Sequence, residues 1–224
     1  MTESKYYKIR KDKSFVAIEF TEEQKCLSSA IFNGGSKKIA SALILKVEEN
    51  FKGEKTEFEN PEITVKKFGD KIGIKDEFAG MMTSASMNSF REVKLEKEDV
   101  VVSAMLTAGF SNAKRAGEKA EWQSFEQKVY KSGTINIILY TNLNLSNAAL
   151  TEAIMIITEA KTAALQDLNV RTPDNNIATG TGTDSVAVVC NTKGIENHFC
   201  GKHTLLGEMI GKAVYQALIS SQDF

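Results

Sequence analysis

Seven consecutive residues, Ala178-Thr179-Gly180-Thr181-Gly182-Thr183-Asp184, alternate hydroxyls with glycines and end on a carboxylate. An apolar stretch, Ser185-Val186-Ala187-Val188-Val189-Cys190, follows at once and reads as a buried strand. If the run enters that strand extended, Thr179, Thr181 and Thr183 project to one face, because side chains alternate along a strand. Gly180 and Gly182 then leave the other face bare, open to a backbone or a ligand. Hydroxyls closed by a carboxylate suit the wall of a site; a turn of small residues is the plainer reading. A phosphate cradle fits poorly. The run is too short for the phosphate-loop pattern and no Gly-Lys-Ser/Thr follows it, and Gly201-Lys202-His203 lacks the hydroxyl directly after lysine.

Other chemistry-bearing residues lie nearby in sequence. Asn136 sits inside the apolar stretch Ile135–Tyr140, and a buried asparagine needs partners for both ends of its amide. It bonds neighbouring backbone, or it reaches a ligand's amide. Leu150, Ile154, Ile157, Lys161, Ala164 and Leu168 share one helical stripe, so Lys161 interrupts an apolar line. Its stem is expected to lie on the core with the ammonium reaching water; the sharper alternative aims it at a site wall. Thr151, Met155, Thr158, Thr162 and Gln166 form the opposite stripe, with Glu152 and Glu159 beside it. His203 precedes Thr204, a natural N-cap, and a helix N-terminus disfavours the imidazolium. That suits a general base, while a capping or packing histidine is the plainer role. His198, in a Gly/Asn-rich loop, reads as solvated.

Composition sets the bounds. The 224 residues suffice for a sizeable core, and 42% hydrophobic with 25% charged residues is ordinary for a globular protein. A net charge of −1 gives no field to draw the chain to nucleic acid or an anionic membrane. No secretory signal opens the sequence and no apolar run is long enough for a membrane span. Cys26, Cys190 and Cys200 are scattered and odd in number, which argues against a disulfide framework and fits a reducing cytoplasm. Two histidines exclude a histidine-rich metal site, though not a carboxylate-held Mg²⁺.

The elements that must position these residues form a sheet-rich part over 1–99 and a motif-bearing part over 100–224, in one domain. Strands are expected at Ser14–Phe20, Lys25–Ile31, Ile39–Val47, Arg91–Leu95, Val100–Thr107, Gly133–Tyr140 and from Ser185. Asn33-Gly34-Gly35-Ser36 marks a turn, and Asn50–Asn60 a polar loop. Helices are expected from Pro61 to Asp70, over Asp76–Ser86, from Ser146 to Leu168, and after Thr204 with Leu206, Met209, Ile210, Ala213, Val214, Ala217 and Leu218 inward. Helices follow groups of strands instead of alternating with them. The expected fold is therefore α+β: a mixed, largely antiparallel sheet of about seven strands packed by about four helices.

Five segments in order resemble the adenosylcobinamide amidohydrolase family of corrinoid salvage. They are Ser111-Asn112-Ala113-Lys114-Arg115-Ala116-Gly117, Gly133-Thr134-Ile135-Asn136, Thr158-Glu159-Ala160-Lys161-Thr162-Ala163-Ala164-Leu165, Ala178–Asp184, and Gly201-Lys202-His203-Thr204 with Gly207-Glu208. The resemblance implies hydrolysis of the amide that joins the aminopropanol arm to the corrin ring, with a corrinoid substrate and no separate cofactor. Amide hydrolysis needs an activated water or hydroxyl, oxyanion donors and an acid for the amine. On chemical grounds His203 is the expected base or acid. Asp184 would orient it or act as base; the hydroxyls of Thr183, Thr179 and Thr181 would be oxyanion donors, or one of them the nucleophile. Lys202 or Lys161 would steady the oxyanion, and Glu159 would pair Lys161 or protonate the amine. Substrate contacts are expected from Asn112, Arg115, Asn136, Lys161, Thr179 and Thr181, with Gly180 and Gly182 giving close approach. A corrin rim carries many neutral amides, which match asparagines and threonines. A non-catalytic corrinoid carrier would share that wall without needing His203, Asp184 and Glu159.

Overall fold

A computed structural model describes residues 2–47, 59–74, 77–120 and 133–222. Ten strands among them join one sheet. Its main path runs β1 (Thr2–Glu3), β2 (Tyr7–Lys11), β3 (Phe15–Ser28), β11 (Ser185–Asn191), β9 (Ile135–Leu145), β7 (Val100–Ala108) and β6 (Arg91–Lys97). On β3 are also paired β4 (Gly35–Lys46), then β5 (Phe78–Thr83) on β4, while β12 (Glu196–Asn197) pairs with β9. A separate two-stranded ladder joins β8 (Ala113–Lys114) to β10 (Gly180–Thr181). The helices are α1 (Pro61–Lys71), α2 (Asn147–Asp167) and α3 (Leu205–Ser220).

The sheet bends at β3. Residues 16–20 of that strand pair with β2 and 15–19 with β4, whereas 25–28 pair with β11 and β4, and the register with β4 shifts between Glu19 and Gln24. The two expected strands Ser14–Phe20 and Lys25–Ile31 are thus one continuous strand with an irregularity. The bend lays the β2–β5 half over the β7–β9–β11 half. Ile18, Ile44, Met81, Met105, Ile138 and Val189 meet between them. The outer face of β7, β9 and β11 buries Leu106, Ile137 and Val188 against α2 and α3. The outer face of β3–β5 buries Leu43 and Phe78 against Val65 of α1. The layers are therefore helix, sheet, sheet, helix, built on strands whose alternate residues serve different cores.

Several expectations are corrected. The α+β class holds, but there are three helices among the described residues, and the sheet has ten strands. Nor is it largely antiparallel in character: β9–β11, β4–β5 and β9–β12 are parallel, the first of these at the centre. The missing helix is the one expected over Asp76–Ser86. Residues 78–83 form β5 instead, paired in parallel with residues 41–46. Alanine and the two methionines there are good helix formers, and tertiary pairing overrides that preference. The polar loop expected over Asn50–Asn60 lies outside the described residues as far as residue 58; Asn60 caps α1, accepting the Glu62 N–H at 2.9 Å.

The other helices begin where their caps predict. Ser146 accepts the Ala149 N–H at 3.2 Å and Thr204 accepts the Gly207 N–H at 3.0 Å. All seven residues expected on the inner face of α3 are buried.

Candidate functional site

Loops before β9 and β11 converge with α2, the β8–β10 ladder and the end of β5. Asp184 is the hub. Its Oδ2 accepts the Lys161 ammonium at 2.5 Å and the Thr181 N–H at 3.0 Å. Its Oδ1 accepts the Thr181 hydroxyl at 2.5 Å and the Ile135 N–H at 3.1 Å. Both charged side chains are largely buried, at 8% and 13% exposure, so the cation does not reach water as expected for a snorkelling lysine. Gly180 makes the pair possible: a Cβ there would lie 2.4 Å from Asp184 Oδ2 and 2.8 Å from Lys161 Nζ. The bare face beside Gly180 thus receives an ion pair of the protein itself.

The three threonines are put to different uses. Thr179 Oγ1 accepts the Ala116 N–H at 2.8 Å, and its carbonyl accepts the Thr162 hydroxyl at 3.1 Å. Thr181 is bound to Asp184. Thr183 shares a hydrogen bond of 2.6 Å with Thr134, a residue sequence reasoning did not single out, and remains exposed at the rim. Gly182 donates its N–H to the Asn112 carbonyl at 3.3 Å. Arg115 is exposed and bonds the Ile177 carbonyl at 2.9 Å, holding the loop that leads to Thr179.

Asn136 lies on the opposite face of β9 from α2, between the two sheet halves. Its Nδ2 donates to the Met82 carbonyl at 2.8 Å. Its Oδ1, the Oδ1 of Asn112 and the Oγ1 of Thr107 are buried with no hydrogen-bond partner among the described residues. Thr107 is directly opposite Asn136 in the β7–β9 ladder, and Ser185 is its partner on β11. One end of the Asn136 amide thus bonds backbone, as one of the two expectations had it, and the other end is an unused buried acceptor.

A second group decorates the outer side of α2. Glu159 pairs with Lys202, not Lys161. His203 is exposed and borders Gly201, as does Glu152, whose Oε2 accepts the Cys200 N–H at 2.7 Å. Asp184 has its bonds with Lys161, Thr181 and Ile135, so the pairing expected between Asp184 and His203 is replaced by two separate groups. Glu159 and Lys161 are two residues apart, on different sides of one turn, so α2 carries both. Glu152 was legible only as a spacing: it stands seven residues, two turns, before Glu159. Burial and the nearby Glu152 carboxylate push the Cys200 thiol up to about 12, which makes it a poor nucleophile. Among the described residues no group of three or more His, Cys, Asp or Glu side chains could hold a metal ion. No described helix is long and apolar enough to cross a membrane.

Fold and site together define a four-layer α+β protein whose polar end is made of hydroxyls, amides and one buried ion pair. The profile of the adenosylcobinamide amidohydrolase family matches residues 1–223, and the chain belongs to that family. An uncharacterized protein of Methanocaldococcus jannaschii, MJ1613, is 42% identical over 170 residues, covering 68% of this chain and 66% of that protein, just under two thirds of its length. A protein of Methanosarcina mazei named adenosylcobinamide amidohydrolase is 29% identical over 195 residues, covering 83% of this chain and 84% of that one. Among solved structures, the PH0078 protein of Pyrococcus horikoshii OT3 aligns over 96% of this chain and 78% of its own, at 14% identity and a TM-score of 0.43.

Proposed function

We propose that the protein hydrolyses the amide linking the aminopropanol arm to the corrin ring of adenosylcobinamide, releasing adenosylcobyric acid and aminopropanol for cobalamin salvage. The observation that carries this reading is the family match along residues 1–223. The site chemistry agrees with it: neutral groups, the exposed Thr183 hydroxyl among them, suit a rim of carboxamides.

Water attacks the amide carbon while His203 takes its proton, and the carbonyl oxygen gains negative charge. Lys202, held by Glu159 beside His203, is the donor that meets that charge. The C–N bond then breaks, and the imidazolium returns the proton to the departing amine nitrogen. A carboxylic acid and an amine result. The Lys161–Asp184 pair acts at one remove, fixing the loop that bears Thr181 and Thr183.

Purified protein is incubated with adenosylcobinamide and the corrinoid is followed by mass spectrometry. Turnover is expected in the wild type and a loss of at least ~100-fold in His203→Ala, with an unchanged fold by circular dichroism. Equal turnover in that variant removes His203 from the mechanism.

A further inference from the structure

Glu152 is a titratable group beside His203 that these roles leave unused. Cys200 holds its Oε2 through the backbone N–H at 2.7 Å. The other oxygen faces Gly201. A Cβ built on Gly201 would lie 3.8 Å from Glu152 Oε1, 3.6 Å from His203 Nδ1 and 3.4 Å from His203 Cε1. Carboxylate and imidazole therefore border one small space, which the glycine keeps open. The backbone around it is fixed. The Thr204 N–H and hydroxyl both donate to the Gly201 carbonyl at 2.8 Å. Gly207 lets the first turn of α3 press onto the loop, where a Cβ would come within 2.2 Å of the Cys200 and Gly201 carbonyl oxygens.

The other charged groups nearby are committed or differently placed. Lys202 pairs with Glu159, His198 is 3.9 Å from Glu196, and Glu208 lies in the first turn of α3. An imidazole has two ring nitrogens, and the bond made by one decides which proton state the other presents. Here Nδ1 is the ring nitrogen that borders the space beside Gly201, which Glu152 Oε1 borders too.

We propose that Glu152 is a positioning residue for His203. Its carboxylate accepts the Nδ1–H of the ring, directly after a small rotation or through one water, and so leaves Nε2 as the proton acceptor. The pairing rests on geometry alone; its catalytic meaning rests on the amidohydrolase reading.

The test is ¹⁵N NMR of the full chain with labelled histidine, at a pH where the ring is neutral, beside turnover of adenosylcobinamide. The wild type is expected to hold His203 as the Nδ1–H tautomer. Glu152→Gln, whose single amide oxygen stays with the Cys200 N–H, is expected to tip the ring toward Nε2–H and to lower kcat at least ~10-fold with KM unchanged. Gly201→Ala fills the space and is expected to give the same tautomer change; Glu208→Gln, which removes an equal charge, leaves the wild-type pattern. The same tautomer in wild type and Glu152→Gln overturns the pairing. The expected tautomers with no turnover by the wild type uphold the pairing and overturn the amidohydrolase reading. Equal kcat in wild type and Glu152→Gln overturns the positioning role and leaves that reading intact.

Discussion

A buried lysine and a buried aspartate are costly to keep apart and only modestly stabilising together, because both lose hydration. Asp184 offsets that loss with four bonds from Lys161, Thr181 and Ile135. Removing the cation alone leaves an uncompensated carboxylate, so Lys161→Met is expected to destabilise the protein by about 3 kcal/mol or more in urea unfolding. Gly180→Ala should cost about 1–3 kcal/mol by forcing the pair apart. A wild-type midpoint in both variants would contradict the pair as drawn. The sequence showed Lys161 on an apolar line and Asp184 at a strand mouth. It could not join them, because their meeting depends on a loop passing α2 at Gly180, and local spacing says nothing of that approach. Of the two roles expected for Glu159, pairing with Lys161 does not form, for the same reason: its partner, Lys202, comes from a loop 43 residues away.

At the scale of elements, caps and periodicity were readable because they are local. Asn60, Ser146 and Thr204 each cap the helix expected to follow. Thr204 also ties its own helix to the site, since its hydroxyl both accepts from Gly207 and donates to Gly201. Thr204→Ala is therefore expected to cost about 1–2 kcal/mol by chemical denaturation and to lower turnover through a looser Gly201–His203 turn. A stability loss with turnover intact would confine the threonine to capping. Between β6 and β7, Glu98 and Asp99 both take left-handed φ, +49° and +64°, as a two-residue hairpin loop requires. The segment Phe78–Thr83 was not readable. Its identity as a strand is set by β4 alongside and by α1, which packs so closely that a Cβ on Gly80 would meet Val65 Cγ1 at 2.3 Å. Nothing within those six residues encodes either neighbour.

At the scale of the molecule, strand segments were visible but the bend at β3 was not, because folding a sheet over itself depends on pairings far apart in sequence. Alternation along β9 sets Asn136 on the opposite face from Lys161, and the bend covers that face with the β2–β5 half. The same layering buries titratable groups. Cys26 and Cys200 are pushed up to about 12 by burial, and burial raises Tyr7 and Tyr140 as well. A thiol raised in the folded state keeps its proton longer than in the unfolded chain. Its stabilising contribution is full below the unfolded value near 9 and is lost as pH climbs toward 12. The urea midpoint is expected to fall across that range, and native Cys26 and Cys200 should resist alkylation at pH 8 until the chain unfolds. Rapid alkylation of the folded protein would contradict their burial. The central claim is chemical, and isotope labelling reaches it most directly. Adenosylcobinamide is incubated with the folded protein in ¹⁸O-water, and the corrinoid is weighed by mass spectrometry. The account predicts a corrinoid acid carrying one heavy oxygen in a single new carboxylate, together with free aminopropanol; unchanged adenosylcobinamide in the presence of demonstrably folded protein would contradict it.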